Sequence, residues 1–493
     1  MKMNGKAAPL TRPSGTLSLG RGLVLALLFA APAFADDDAP RVPLKPAAPA
    51  DAVTAPTISP SGSGIEFLHG RFEFGSYGRI GIGSDLRGGL GTDANVVAHG
   101  PRLLEDSYAE LELRREDEFG PVHSRVVATL GFFPPFFQFD GNASQQIGLR
   151  NLYAEASLSD GFSAWAGSRM YRGDDIYLLD FWPLDNLNTV GGGVRLASGG
   201  TSFQLHAGMQ RLDQPYQYQA VVADNPLGYG TVPVALLNRP RIIESAKLTQ
   251  EVKGDGIGAR FSLYGEAQEI GAGKTRDSAT GDERALPQDW GALVGGQASV
   301  FLPGNRFAHL WVRQAFGLAT YDELSVPTTF SNDYTTQGAH STRFAFAGGW
   351  DTGTLGVLAG AYVDLVRDAG VSQQTAQKYD EGALSVRGQY QPFKYFGVAA
   401  EASVQHRTYG LVDPNTGALR SGTVGQLGLM PYFSPLGPGL FSRPQLRLVY
   451  AISMRDAGAR SFYPSDDVAS QRGVAHYLGL SVEWWFNSTT YGR

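Results

Sequence analysis

The stretch SYAELELRRE, residues 107–116, alternates from Tyr108 to Arg114: Ala109, Leu111 and Leu113 share one parity, while Tyr108, Glu110, Glu112 and Arg114 share the other. Successive side chains of a strand point to opposite faces, so this segment reads as a strand with one apolar and one charged face. The pattern recurs. In FEFGSYGRIGIG (72–83), Phe72, Phe74, Ile80 and Ile82 oppose Glu73, Tyr77 and Arg79. In FSLYGEAQ (261–268), Phe261 and Leu263 oppose Tyr264, Glu266 and Gln268. In HYLGLSVEWWF (476–486), Leu478, Leu480, Val482, Trp484 and Phe486 oppose Tyr477, Glu483 and Trp485.

The connections alternate as well. Tight turn signals (SDG at 159–161, SGG at 198–200, KGDG at 253–256, LPGN at 302–305, DTGT at 351–354) fall between longer polar loops. The long loops lie near 84–105, 133–149, 172–189, 211–241, 269–289, 320–340, 367–380, 408–421 and 455–474. Nine loops, each flanked by two strands, give eighteen strands. The expected fold is all-β: an 18-stranded antiparallel transmembrane β-barrel with short periplasmic turns and long extracellular loops, wide enough for an aqueous channel. A soluble sandwich would alternate too. A face of Glu, Arg and Tyr suits a wet lumen better. The clusters FFPPFFQF (132–139), GLFSRP (439–444) and EWWF (483–486) read as aromatic girdles.

The N-terminus fits export. Lys2, Lys6, Arg12 and Arg21 precede the apolar run GLVLALLFAAP, and Ala33-Phe34-Ala35 forms a small-x-small cleavage site. Residues 1–35 therefore read as a signal peptide, and their loss, four cations and no acid, takes the formal net charge from −6 to −10. Residues 36–64, rich in Pro and Ala, read as a periplasmic linker, and 65–493 as one porin β-barrel domain. An acidic chain argues against nucleic acid, and the absence of cysteine excludes thiol chemistry.

Enzyme chemistry finds little support. Asp174-Asp175 with Asp180 is the one carboxylate group worth weighing, and strand parity sends Asp174 and Asp175 to opposite faces. The eight histidines show no metal spacing, so neither a metal nor a cofactor is expected. The stretch AGSRMYRGDDIYLLDFW (166–182) instead mixes charges with aromatic rings, the two things a sugar needs: flat apolar faces for its CH face and charged partners for its hydroxyls. It reads as a strand that feeds a loop folded back into the lumen as a constriction.

GSYGRIGIG (75–83), YAELEL (108–113), WAGSRMYRGDDIYLLDFW (165–182), FSRPQLRLVYA (441–451) and VEWWF (482–486) together resemble the maltoporin family of sugar-specific outer-membrane porins. The similarity is strongest at the two ends of 65–493 and loose over 211–430. It implies an outer-membrane homotrimer that passes malto-oligosaccharides along an aromatic path beside an ionic track. By position, the path is Tyr77, Tyr108, Trp182 and Trp485. The track is Arg79, Arg102, Glu110, Arg150, Asp175 and Asp180. The family's third-loop arginine falls on Gly173, leaving Arg172 or Arg169 to replace it. Phe136 or Phe137 stands for the family's subunit-bridging tryptophan, and Phe393 or Tyr395 for a mid-barrel aromatic. The tail NSTTYGR runs past the terminal aromatic. The alternative function is general diffusion of small hydrophilic solutes.

Overall fold

In the computed structural model, eighteen strands, from Gly70–Ser84 to Val474–Phe486, each pair antiparallel with the next. The structure describes residues 70–489 apart from 143–145, 159–160, 278–279, 323, 373 and 414–415. The expected signal peptide, 1–35, and the expected linker, 36–64, lie outside the described residues. The last strand pairs with the first, from Ser76 opposite Phe486 to Ser84 opposite Leu478. The sheet is therefore a closed barrel without a free edge, so its backbone groups need no water.

The two faces are inverted relative to a soluble protein. Phe72, Phe74, Leu113, Phe261, Leu263 and Leu480 are exposed on the outside, whereas Glu110, Glu112, Gln268, Arg343 and Glu483 are buried inside. Large apolar side chains facing outward all around a closed sheet suit lipid. The inward charges are paired across neighbouring strands, as in Arg343–Asp364 and Arg387–Glu401, both 2.6 Å.

Tight turns gather at one end, such as 199–200, where Gly199 and Gly200 take φ of 58° and 86° that side chains disfavour. Long loops gather at the other: 85–107, 134–145, 173–185, 211–240, 271–288, 318–339, 368–378, 413–418 and 456–473. All nine were anticipated, with one shorter than expected. The strands Phe396–Val412 and Leu419–Phe433 run on into the polar sequence, which leaves six loop residues where 408–421 was read as loop. Polarity there marks strand that projects beyond the apolar belt. Two small hairpins, Tyr218–Asp224 with Thr231–Asn238 and Gly273–Arg276 with Glu283–Leu286, sit within long loops and were not foreseen.

GLFSRP is not a girdle. Connection 434–444, at the end of the tight turns, folds inward and buries Leu440, Phe441 and Arg443. Two loops from the opposite end, 85–107 and 173–185, also enter the barrel and share one apolar cluster through Val96, Val97, Ile176, Leu179 and Phe181.

Candidate functional site: the lumen constriction

The strand Phe162–Arg172 ends at Arg172, and the chain turns into the lumen. Gly173 and Asp185 close the base of the loop with a 3.4 Å backbone bond. A β-carbon at 173 would overlap the Asp185 carboxylate, which is itself held by Lys247 at 2.9 Å. At the tip, Ile176 and Phe181 bridge around the turn Tyr177–Leu179, and Asp180 closes it in the left-handed region (φ 46°, ψ 50°). Ile176 reaches the opposite wall, where a β-carbon on Gly360 of the strand Leu355–Arg367 would collide with it. The loop thus crosses the barrel, stapled near its base by Asp174 to Arg260 and Gln297.

Asp174 and Asp175 therefore lie in a loop, and strand parity does not govern them. What argues against a carboxylate dyad is Asp174's engagement with Arg260 and Gln297. Asp175 is half-buried beside it.

On the first-strand side of the loop, aromatic and ionic groups interleave. Arg79 and Arg102 donate to the Tyr77 hydroxyl at 2.8 and 2.7 Å. Both guanidinium groups also clasp Glu105, at 2.6 and 2.5 Å. Arg79 lies 3.8 Å from Asp180. Burial pushes the Asp180 carboxyl up, but Arg102, Arg79 and Arg172 outweigh it and hold it below the usual range. Glu110 accepts from the Tyr108 hydroxyl and lies 3.5 Å from Arg150.

The rings form a ribbon. Tyr77 is 6.2 Å from Tyr108 and pairs across the seam with Trp485. Trp485 meets Tyr177 edge-on at 6.1 Å, and Tyr177 meets Phe441 at 5.5 Å. Phe441 leads on to Phe307 at 6.4 Å. Each such pair contributes roughly 0.5–1.5 kcal/mol beyond burial.

The model of the LamB porin family matches residues 72–486. The chain belongs to the LamB porin family. As a porin it is an outer-membrane channel protein. No curated protein matches it. Among solved structures, it is similar to OpdO of Pseudomonas aeruginosa (12% identity, TM-score 0.39, covering 85% of this chain and 97% of that one). It is also similar to OmpT of Vibrio cholerae (11%, 0.35, 86% and 99%) and to Salmonella typhi OmpF in complex with daunomycin (10%, 0.36, 85% and 98%).

Within this LamB porin, Tyr77, Arg79, Arg102 and Asp180 come together, with Tyr108, Glu110, Arg150 and Trp485 alongside. Trp182 stands apart, at the foot of the loop, with the Arg172 guanidinium 4.1 Å over its ring. Arg172 also donates to Asn188 at 3.3 Å. Arg169 is buried against Tyr153 and Glu155 (4.3 Å and 2.9 Å), which leaves Arg172 as the arginine nearer the loop. Phe393 and Tyr395 lie on the exposed connection 391–395 among the tight turns, so neither is a mid-barrel ring. Phe136 is half-buried in loop 134–145.

Sequence reasoning missed Glu105, Tyr177, Phe441 and Arg443 as members of the cluster. It placed Glu483 on the polar face but not in the site. Glu483 collects Arg443, Arg447 and Arg102 at 2.8, 2.6 and 3.2 Å and the Tyr177 hydroxyl at 2.7 Å. Tyr177 was visible inside the quoted stretch, but its partners are about 300 residues away in sequence.

Proposed function

We propose that this porin carries oligosaccharides, maltose and malto-oligosaccharides or related sugars, across the outer membrane by facilitated diffusion. The observation that carries this reading is the ring ribbon Tyr108–Tyr77–Trp485–Tyr177–Phe441 running beside the Arg79, Arg102, Glu105 and Glu483 pairs where loop 173–185 narrows the lumen. Rings offer apolar faces to sugar CH groups, and the ion pairs offer donors and acceptors that hydroxyls can exchange with. Trp182 and Arg172 add a second ring and cation at the loop's foot, and Asp175 and Asp180 contribute carboxylates along it. The working form is a homotrimer in outer-membrane lipid, exported through residues 1–35 and extended into the periplasm by 36–64. The chemistry of passage calls for no cofactor.

The second reading is a general diffusion porin. It is favoured by the coverage of four of the five ribbon rings: Tyr77, Tyr108, Tyr177 and Phe441 are 1%, 8%, 7% and 8% exposed. Planar-bilayer recordings with malto-oligosaccharide titration separate the two. Saturable block of the open channel supports the sugar reading, and Trp485→Ala should then weaken the block about tenfold, the loss of roughly 1.4 kcal/mol of stacking. Passage governed by solute size alone, without saturation, supports general diffusion.

A further inference from the structure

Loop 85–107 connects the first two strands, yet its middle lies deep in the barrel against the far wall. Three of its backbone N–H groups are donated to wall side chains: Val96 to Gln405 at 2.7 Å, Ala98 to Glu381 at 3.2 Å and His99 to the Tyr362 hydroxyl at 3.2 Å. These come from three successive strands, Leu355–Arg367, Tyr379–Tyr390 and Phe396–Val412. Ala94, Val96 and Val97 are buried beneath.

This strap touches loop 173–185 at both ends of its tip. At one end, Arg102 donates to the Tyr177 carbonyl at 3.2 Å and lies 4.7 Å over the Tyr177 ring. At the other, the His99 ring stacks on Phe181 with centroids 3.7 Å apart and planes 17° off parallel. Tyr362 at 5.1 Å and the Arg343 guanidinium at 4.8 Å complete the surroundings of Phe181. Of the three residues between the two anchors, Asp180 is a non-glycine in the left-handed region, which costs about 1 kcal/mol and persists only where packing enforces it.

We propose that His99 is a positioning residue of the constriction. Loop 85–107 straps loop 173–185 down, and the His99 ring fixes Phe181 and, through it, the flanking Asp180 and Trp182. The stacked pair itself is packed away from solute, with Phe181 buried, and acts through the residues that flank it. An imidazole suits the place because it stays neutral. Burial and the charge of Arg343 hold His99 down to about 3, with Arg313 adding to the effect and Asp322 and Asp180 opposing it. The ring stacks without adding a third cation beside Arg343 and Arg313.

The inference rests on the channel, not on the sugar. Its test is therefore open-channel ion conductance of the full-length porin in planar bilayers without saccharide. His99→Ala should raise conductance by about 1.5-fold or more and make the open current noisier, because the tip of loop 173–185 is released. His99→Phe, which keeps a flat ring, should stay at the parental value. If His99→Ala does not insert, His99→Leu gives the same comparison, since it keeps bulk and loses stacking. Parental conductance in the Ala or Leu channel overturns the proposal, as does an equal rise in the Phe channel. A failure of the sugar reading would show only in saccharide block and leave these conductances unchanged.

Discussion

Glu483 gathers three arginines and a tyrosine hydroxyl on one carboxylate while remaining 2% exposed. Removing the charge from such a centre costs more than the pairing contributes, because Arg102, Arg443 and Arg447 are then left facing one another. Glu483→Gln should lower barrel stability by about 3 kcal/mol, read as a fall in the temperature at which the folded form is lost on gels. It should also move the reversal potential in a salt gradient toward anion preference. Unchanged stability and selectivity would show that the cluster is solvated rather than coupled. Strand parity already placed Glu483 inside. Its partners were not legible, because Arg102 lies 381 residues away and no local pattern reports a contact at that distance.

The eighteen strands were legible because a two-sided wall in lipid and water writes period two into every segment. Turns were legible from glycine and proline. The inward course of a loop is decided differently, by a few specific fits: Ile176 into the gap at Gly360, and Asp185 into the space beside Gly173. That second fit gives a physical reason for the glycine where the family resemblance implied an arginine. Gly173→Arg should therefore not restore a track residue. It should displace Asp185 from Lys247, unseat the loop base and raise open-channel conductance, and an unchanged conductance would mean that the loop accommodates the side chain. The inward turn of 434–444 was missed for the same reason. Its aromatic residues look like any girdle until Tyr177 is placed beside Phe441.

Closure of the barrel joins chain ends that are otherwise unrelated, and the seam is reinforced beyond its last strand. Thr489 donates from its backbone at 3.1 Å and from its hydroxyl at 2.8 Å to Glu112 inside the second strand. Ser488 is buried, and a side chain at Gly75 would collide with the Asn487 carbonyl. Residues 487–489, the described part of the tail that departs from the resemblance, thus hook onto the lumen wall. Truncation after Phe486 strips Glu112 of those bonds, and the folded barrel should be lost at a lower temperature, by several degrees for roughly 1–3 kcal/mol. Equal heat stability would show that the hook carries no load. Across the whole molecule, the proposed path for oligosaccharide is the ribbon of rings and ion pairs beside loop 173–185. Single-channel current under malto-oligosaccharide titration tests it most directly. Block should saturate with concentration and strengthen with chain length. A current that no oligosaccharide blocks at any concentration would contradict it.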